Sequence, residues 1–212
     1  MKILAIASSK GGSGKSTLAR GLAVHAALEG LRVLLIDLDP QKTTEKWWGK
    51  NERKNPVVGD LGNKRDLSAL AGLDFDLCLL DTPPEHEFSW RSREAIRVAD
   101  LVLIPVRPSP DDIDAAGLTV SAVQAAKKPF AFIPSQITAR ASLVGDLVQA
   151  LSEHGQVLPH LTQRQDVPKA HQSGRCPVDL KPTSDAATEM RAVWWAVSEM
   201  LKLNDKKGAL KL

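Results

Sequence analysis

Ser9-Lys10-Gly11-Gly12-Ser13-Gly14-Lys15-Ser16-Thr17 decides the reading of this 212-residue chain. It follows a short apolar run, Ile3-Leu4-Ala5-Ile6-Ala7, and leads into Leu18-Ala19-Arg20-Gly21-Leu22-Ala23, which reads as a helix. Strand, glycine-rich loop and helix in that order are the setting of a phosphate-binding loop. Glycines let backbone N–H groups close around phosphate oxygens, and the helix start adds the positive end of its dipole. Gly11, Gly12, Ser13 and Gly14 are therefore nucleotide-cradling positions. Lys15 is placed to reach the β- and γ-phosphates of ATP, Ser16 to coordinate Mg²⁺, and Thr17 to put a hydroxyl near the α-phosphate.

The usual pattern would have glycine at position 9, where this chain has Ser9, and an extra lysine, Lys10, stands directly before Gly11-Gly12. That variant resembles the deviant Walker A motif of the ParA/MinD family of ATPases. The resemblance implies that Lys10 crosses a dimer interface and touches the nucleotide of the other subunit.

Further along, Arg32-Val33-Leu34-Leu35-Ile36-Asp37 is a continuous apolar strand, the pattern of a strand covered on both faces. It ends in Asp37-Leu38-Asp39-Pro40-Gln41, and ligands of open α/β sheets bind at such carboxyl ends. The string is similar to the family's D-x-D-P-Q signature. By that match Asp39 positions or activates the attacking water, and Asp37 supports the Mg²⁺ and phosphate-loop region. The same acids also suit a helix cap, and the two roles are compatible. Phe75-Asp76-Leu77-Cys78-Leu79-Leu80-Asp81 is a hydrophobic strand ending in aspartate, the Walker B pattern, whose carboxylate holds the Mg²⁺ shell opposite the loop serine. Thr82-Pro83-Pro84 extends the resemblance.

Strands alternating with helices predict an α/β fold: a single-domain P-loop NTPase over residues 1–212, with a mostly parallel sheet covered by helices on both faces. Apolar residues make up 43% and charged residues 25%, an ordinary globular composition without a run long enough to span a bilayer. The strand at the start leaves no room for a signal peptide, which predicts a cytoplasmic protein. Cys78 and Cys176 lack metal-ligand spacing and read as reduced structural thiols. A net charge of +3 does not by itself argue for nucleic acid.

The remaining elements follow in order. Lys42 to Arg65 is basic and aperiodic, with a short helix over Thr43–Lys50 whose Trp47 and Trp48 suit either a subunit interface or packing on a neighbouring helix. Helices are predicted at 89–99, from the Pro108–Asp112 turn to Lys127, at 142–153 and at 185–203, the last with Trp194 in its apolar stripe. Strands are predicted at 101–106, 130–134 and 157–159. Where the family has an asparagine near adenine this chain has Pro134-Ser135-Gln136, so Gln136 is the amide available there. Val167 and Pro168 match the family segment that lies against adenine.

The resemblance implies further properties. The chain looks most like the small ParA type, which lacks the N-terminal DNA-reading domain of longer plasmid partition ATPases. Such proteins form an ATP-bound homodimer on nonspecific DNA, hence nucleoid-associated. A ParB-like or other cargo-adaptor protein stimulates hydrolysis, and plasmid, chromosome or protein cargo is positioned. Candidate phosphate contacts are Arg164, Lys181, Arg191, Lys202, Lys206 and Lys207, each of which is a solvated charge unless they cluster. A MinD-like membrane-associated ATPase is the alternative, although the tail Lys206–Leu212 offers little apolar area for anchoring. Cys78 and Cys176 do not fit a cluster-bridging nitrogenase reductase, and absent tyrosine argues against the tyrosine-kinase branch. No second-substrate motif suggests a metabolic enzyme such as dethiobiotin synthetase.

Overall fold

A computed structural model describes residues 1–61, 64–84, 89–138 and 141–203. Seven strands, β1 (Lys2–Ile6), β2 (Val33–Asp37), β3 (Val57–Gly59), β4 (Leu77–Asp81), β5 (Leu101–Val106), β6 (Phe130–Pro134) and β7 (Gln156–Val157), form one sheet. Their order is β3-β2-β4-β1-β5-β6-β7, and every pairing is parallel. The helices are α1 (Lys15–Leu28), α2 (Thr43–Trp48), α3 (Trp90–Val98), α4 (Pro110–Ala125), α5 (Ala141–Ser152), α6 (Asp166–Gln172), α7 (Pro177–Leu180) and α8 (Asp185–Met200).

The strands read as unbroken apolar runs because both faces are covered, and their residues split by parity between two cores. Leu4, Ile6, Leu35, Leu79 and Leu103 pack with Leu18, Leu22 and Trp194 on the side of α1 and α8. Ile3, Ala5, Leu34, Leu80 and Ile104 pack on the other side with Ile96, Val123 and Leu147 of α3, α4 and α5. Asp37 and Asp81 share the parity of the first group, and the register pairs Asp37 with Asp81 and Asp81 with Ile6. Strand pairing alone thus sets both carboxylates in a row at the sheet's carboxyl edge, beside the loop that follows β1.

Two features depart from the sequence reading. The stretch read as aperiodic contains β3, an edge strand whose three residues are too short to show a period. Residues after Cys176 form α7, opened by Pro177 at its first position, where a missing N–H does no harm. Trp194 is buried as expected, but its neighbour Trp195 points outward and is 66% exposed. Trp47 packs inward: it is buried, and its ring N–H donates to the Arg175 carbonyl at 3.2 Å. No helix among the described residues is long and apolar enough to cross a membrane.

Candidate nucleotide site

The loop between β1 and α1 is held by its surroundings. Gly12 and Gly14 have φ of 74° and 95°, a region that penalises any Cβ. Ser135 donates its hydroxyl to the Ser13 carbonyl at 2.7 Å, and the Gln136 amide donates to the Gly12 carbonyl. Lys15 is buried within the loop, its Nζ donating to the Lys10 carbonyl at 2.9 Å. Lys10 itself lies on the rim, with its Nζ 3.7 Å from the Asp111 carboxylate and a third of its side chain exposed. The two lysines of the motif therefore point to different places, one into the cradle and one outward.

Asp37 is buried and accepts three backbone N–H groups, from Asp39 at 3.0 Å, Thr44 at 2.9 Å and Glu45 at 3.1 Å. It caps α2 and pins the loop that carries Asp39, with one of these bonds on Oδ1 and two on Oδ2. Asp39 is half-buried, with Oδ1 accepting from the Gln41 N–H at 2.9 Å. Asp81 is fully buried, and burial pushes its carboxyl up to about 6. Its Oδ2 accepts the Thr44 hydroxyl at 2.7 Å, while Oδ1 is buried without a geometric hydrogen-bond partner, the Ser16 hydroxyl being near enough to favour the ionised form. An orphaned, buried carboxylate oxygen next to a serine is a donor set that suits Mg²⁺, which takes hard oxygen ligands and completes its shell with phosphate and water. No group of three or more His, Cys, Asp or Glu among the described residues is arranged to hold a metal ion.

A cavity of about 220 Å³ opens beside the loop, lined by Gly14, Thr17, Gln136, Val167, Pro168 and Met190 among others. The expected base-contacting residues are thus brought to one apolar chamber adjoining Thr17. Gln136 reaches it with its amide N–H already given to Gly12. His171 also lines the chamber, and burial together with the nearby Arg20 guanidinium lowers its imidazole to about 4. Its folded value lies below the ordinary 6.5, so the unfolded chain binds the extra proton between pH 6.5 and 4. The His171 contribution to stability is full above that window and falls as pH drops through it, by up to on the order of 3 kcal/mol. Asp81, raised to about 6, contributes in the opposite sense as pH falls through 6, so the His171 effect is read as the difference between wild type and His171→Gln in urea unfolding at pH 7 and pH 5. Wild type should lose more, or gain less, stability than the variant on acidification.

Of the basic residues considered for DNA, Arg164 pairs with Asp185 at 2.9 Å and Glu189 at 2.8 Å at the cavity wall. Arg191 is exposed and donates to the Pro182 carbonyl at 2.9 Å, next to exposed Lys181. Lys202 is exposed at the end of α8, whereas Lys206 and Lys207, with the rest of the tail, lie outside the described residues. Sequence reading missed Arg20, Thr44, Ser135 and Arg107. Arg107 forms a two-point bond with Asp112, at 2.9 and 3.2 Å, and its remaining terminal nitrogen lies beside Gly12. Arg20 carried a usable signal, a charge inside the apolar stretch of α1; Thr44 carried none.

An all-parallel sheet with a glycine loop after its central strand and acids at the neighbouring strand ends defines a P-loop nucleotide-binding domain. Residues 4–178 match the model of the CobQ/CobB/MinD/ParA nucleotide binding domain, and the chain belongs to that family. It is 34% identical over 130 residues to the maintenance of carboxysome distribution protein A of Halothiobacillus neapolitanus, a match covering 59% of each chain. The chain spans about half to three-fifths of the length of such curated relatives. In fold it is similar to the MinD cell division protein of Aquifex aeolicus, with TM-score 0.75 and 20% identity over 94% of this chain and 98% of that one. It is also similar to the ATP complex of Cyanothece McdA, with TM-score 0.72 and 20% identity over 95% and 96%.

Proposed function

We propose that this chain is an ATP-driven positioning ATPase that closes as a homodimer over two ATP molecules, binds DNA without sequence preference in that state, and lets go when a partner protein stimulates hydrolysis. The observation that carries the reading is the division of labour between the two lysines. Lys15 is buried in the phosphate cradle, and Lys10 lies at its outer rim, paired with the highly exposed Asp111. A surface ion pair of that kind is worth little and is easily exchanged for a phosphate.

Within one copy, Gly11 to Gly14 and Thr17 cradle the phosphates, and Lys15 neutralises their charge. Ser16 and Asp81 hold Mg²⁺, which when bound offsets the charge of the phosphate oxygens. Val167, Pro168 and Gln136 receive the adenine. Asp39, on a loop pinned by Asp37, orients the attacking water. Lys10 of the second copy supplies the cation that completes the site, the logic of an arginine finger. The names of relatives cover carboxysome distribution, a ParA protein and chromosome partitioning, which supports a cargo of the same broad kind.

Co-sedimentation with random-sequence DNA is the test. Binding is expected with ATP and Mg²⁺, lost with ADP, and steeply weakened by added salt, because phosphate contacts release counterions. Equal binding in ADP, or binding indifferent to salt, contradicts the reading.

A further inference from the structure

We infer that Thr44 is a positioning residue that fixes the Mg²⁺-facing carboxylate of Asp81, with Arg20 aiming its hydroxyl proton. The inference rests on the nucleotide-site reading above and deepens it. Thr44 is fully buried, and its hydroxyl lies between Arg20 Nε at 2.9 Å and Asp81 Oδ2 at 2.7 Å. A guanidinium N–H can only donate. The hydroxyl oxygen therefore accepts from Arg20, and its single proton goes to Asp81. The direction of the chain, Arg20 to Thr44 to Asp81, follows from donor chemistry alone.

Two more contacts make Thr44 a junction rather than a lone bond. Its backbone N–H donates to Asp37 Oδ2 at 2.9 Å, so one residue joins the ends of β2 and β4 to α1 and to the loop carrying Asp39. The Arg20 guanidinium lies 5.3 Å from the centre of the Trp47 ring, one turn along the same helix as Thr44, which holds the donor in place. The consequence falls on Asp81. With Oδ2 taken by Thr44, the carboxylate cannot rotate freely, and the buried Oδ1 faces the Ser16 hydroxyl without a well-formed hydrogen bond. An oxygen in that state is costly unless something meets it. A hydrated Mg²⁺ is the partner whose chemistry fits. Thr44 thus decides which oxygen of Asp81 faces the metal.

The test reads metal binding, not turnover. The full chain is mixed with a fluorescent ADP, and its affinity is followed as Mg²⁺ is added. Thr44→Val keeps the shape and removes the proton donor. Its ADP affinity without Mg²⁺ should stay within about twofold of wild type, while its Mg²⁺ midpoint should rise about tenfold, the usual effect of losing an outer partner of a metal ligand. Thr44→Ser should return to within about threefold of wild type, and Arg20→Met, which leaves the hydroxyl unaimed, should fall between. An unchanged midpoint in Thr44→Val, or an equal rise in Thr44→Ser, overturns the inference. Should Thr44→Val fail to fold by circular dichroism, equal midpoints for Thr44→Ser and Arg20→Met overturn it instead. A wild-type chain whose ADP affinity ignores Mg²⁺ would overturn the site reading as well; a responsive wild type with an indifferent Thr44→Val overturns only the role of Thr44.

Discussion

Lys10→Ala should lower ATP turnover at least about 100-fold while leaving nucleotide affinity of the single chain within about twofold, since cations supplied across an interface contribute factors of about 10³–10⁵ in phosphoryl transfer. The asymmetry follows from geometry. Lys15 is inside the cradle of its own chain, so it contributes to binding. Lys10 faces outward, paired with Asp111 at 3.7 Å, so losing it leaves the cradle of its own chain intact. Phosphate release gives the turnover and a fluorescent ATP titration gives the affinity. Wild-type turnover in the variant would contradict a charge lent between copies, and a lost affinity would place Lys10 in its own chain's cradle.

Asp39→Asn carries the second large effect. Asp39 is half-buried at the sheet edge, with one oxygen accepting the Gln41 N–H, and the loop bearing it is anchored by three N–H groups on Asp37. Asparagine keeps the size and an accepting oxygen but cannot take a proton or orient water as a carboxylate does. Hydrolysis should fall by about 10²–10⁴, the range for losing a positioned base. Binding should survive, and the variant should accumulate as an ATP-bound dimer because it closes without turning over. Light scattering alongside phosphate release checks both. A variant that hydrolyses normally removes Asp39 from the chemistry. One that loses hydrolysis and stays single would make it a residue of the interface.

The core of the site was legible because its chemistry is local in sequence. Ser9 to Thr17, Asp37 to Gln41 and the run ending at Asp81 each sit at a strand end, and parallel register then forces Asp37 and Asp81 together. Gln136, Val167 and Pro168, read as candidate adenine contacts, line one chamber, and the amide of Gln136 also serves the Gly12 carbonyl. What sequence could not carry was contact between distant residues. Thr44 looks like any threonine on a basic helix until Arg20, 24 positions earlier, and Asp81, 37 positions later, converge on its hydroxyl. Arg164 shows the same limit in reverse. Its charge suited a phosphate, and only the fold reveals Asp185 and Glu189 already beside it. Helix α7 and strand β3, at four and three residues, are too short for their periods to repeat and so announce them.

Multi-angle light scattering with Mg²⁺ and a non-hydrolysable ATP analogue weighs the central claim most directly. The 22.9 kDa chain should double its mass with the analogue and return to a single copy with ADP. A mass that stays at one copy under both nucleotides, at concentrations where binding is saturated, would contradict it.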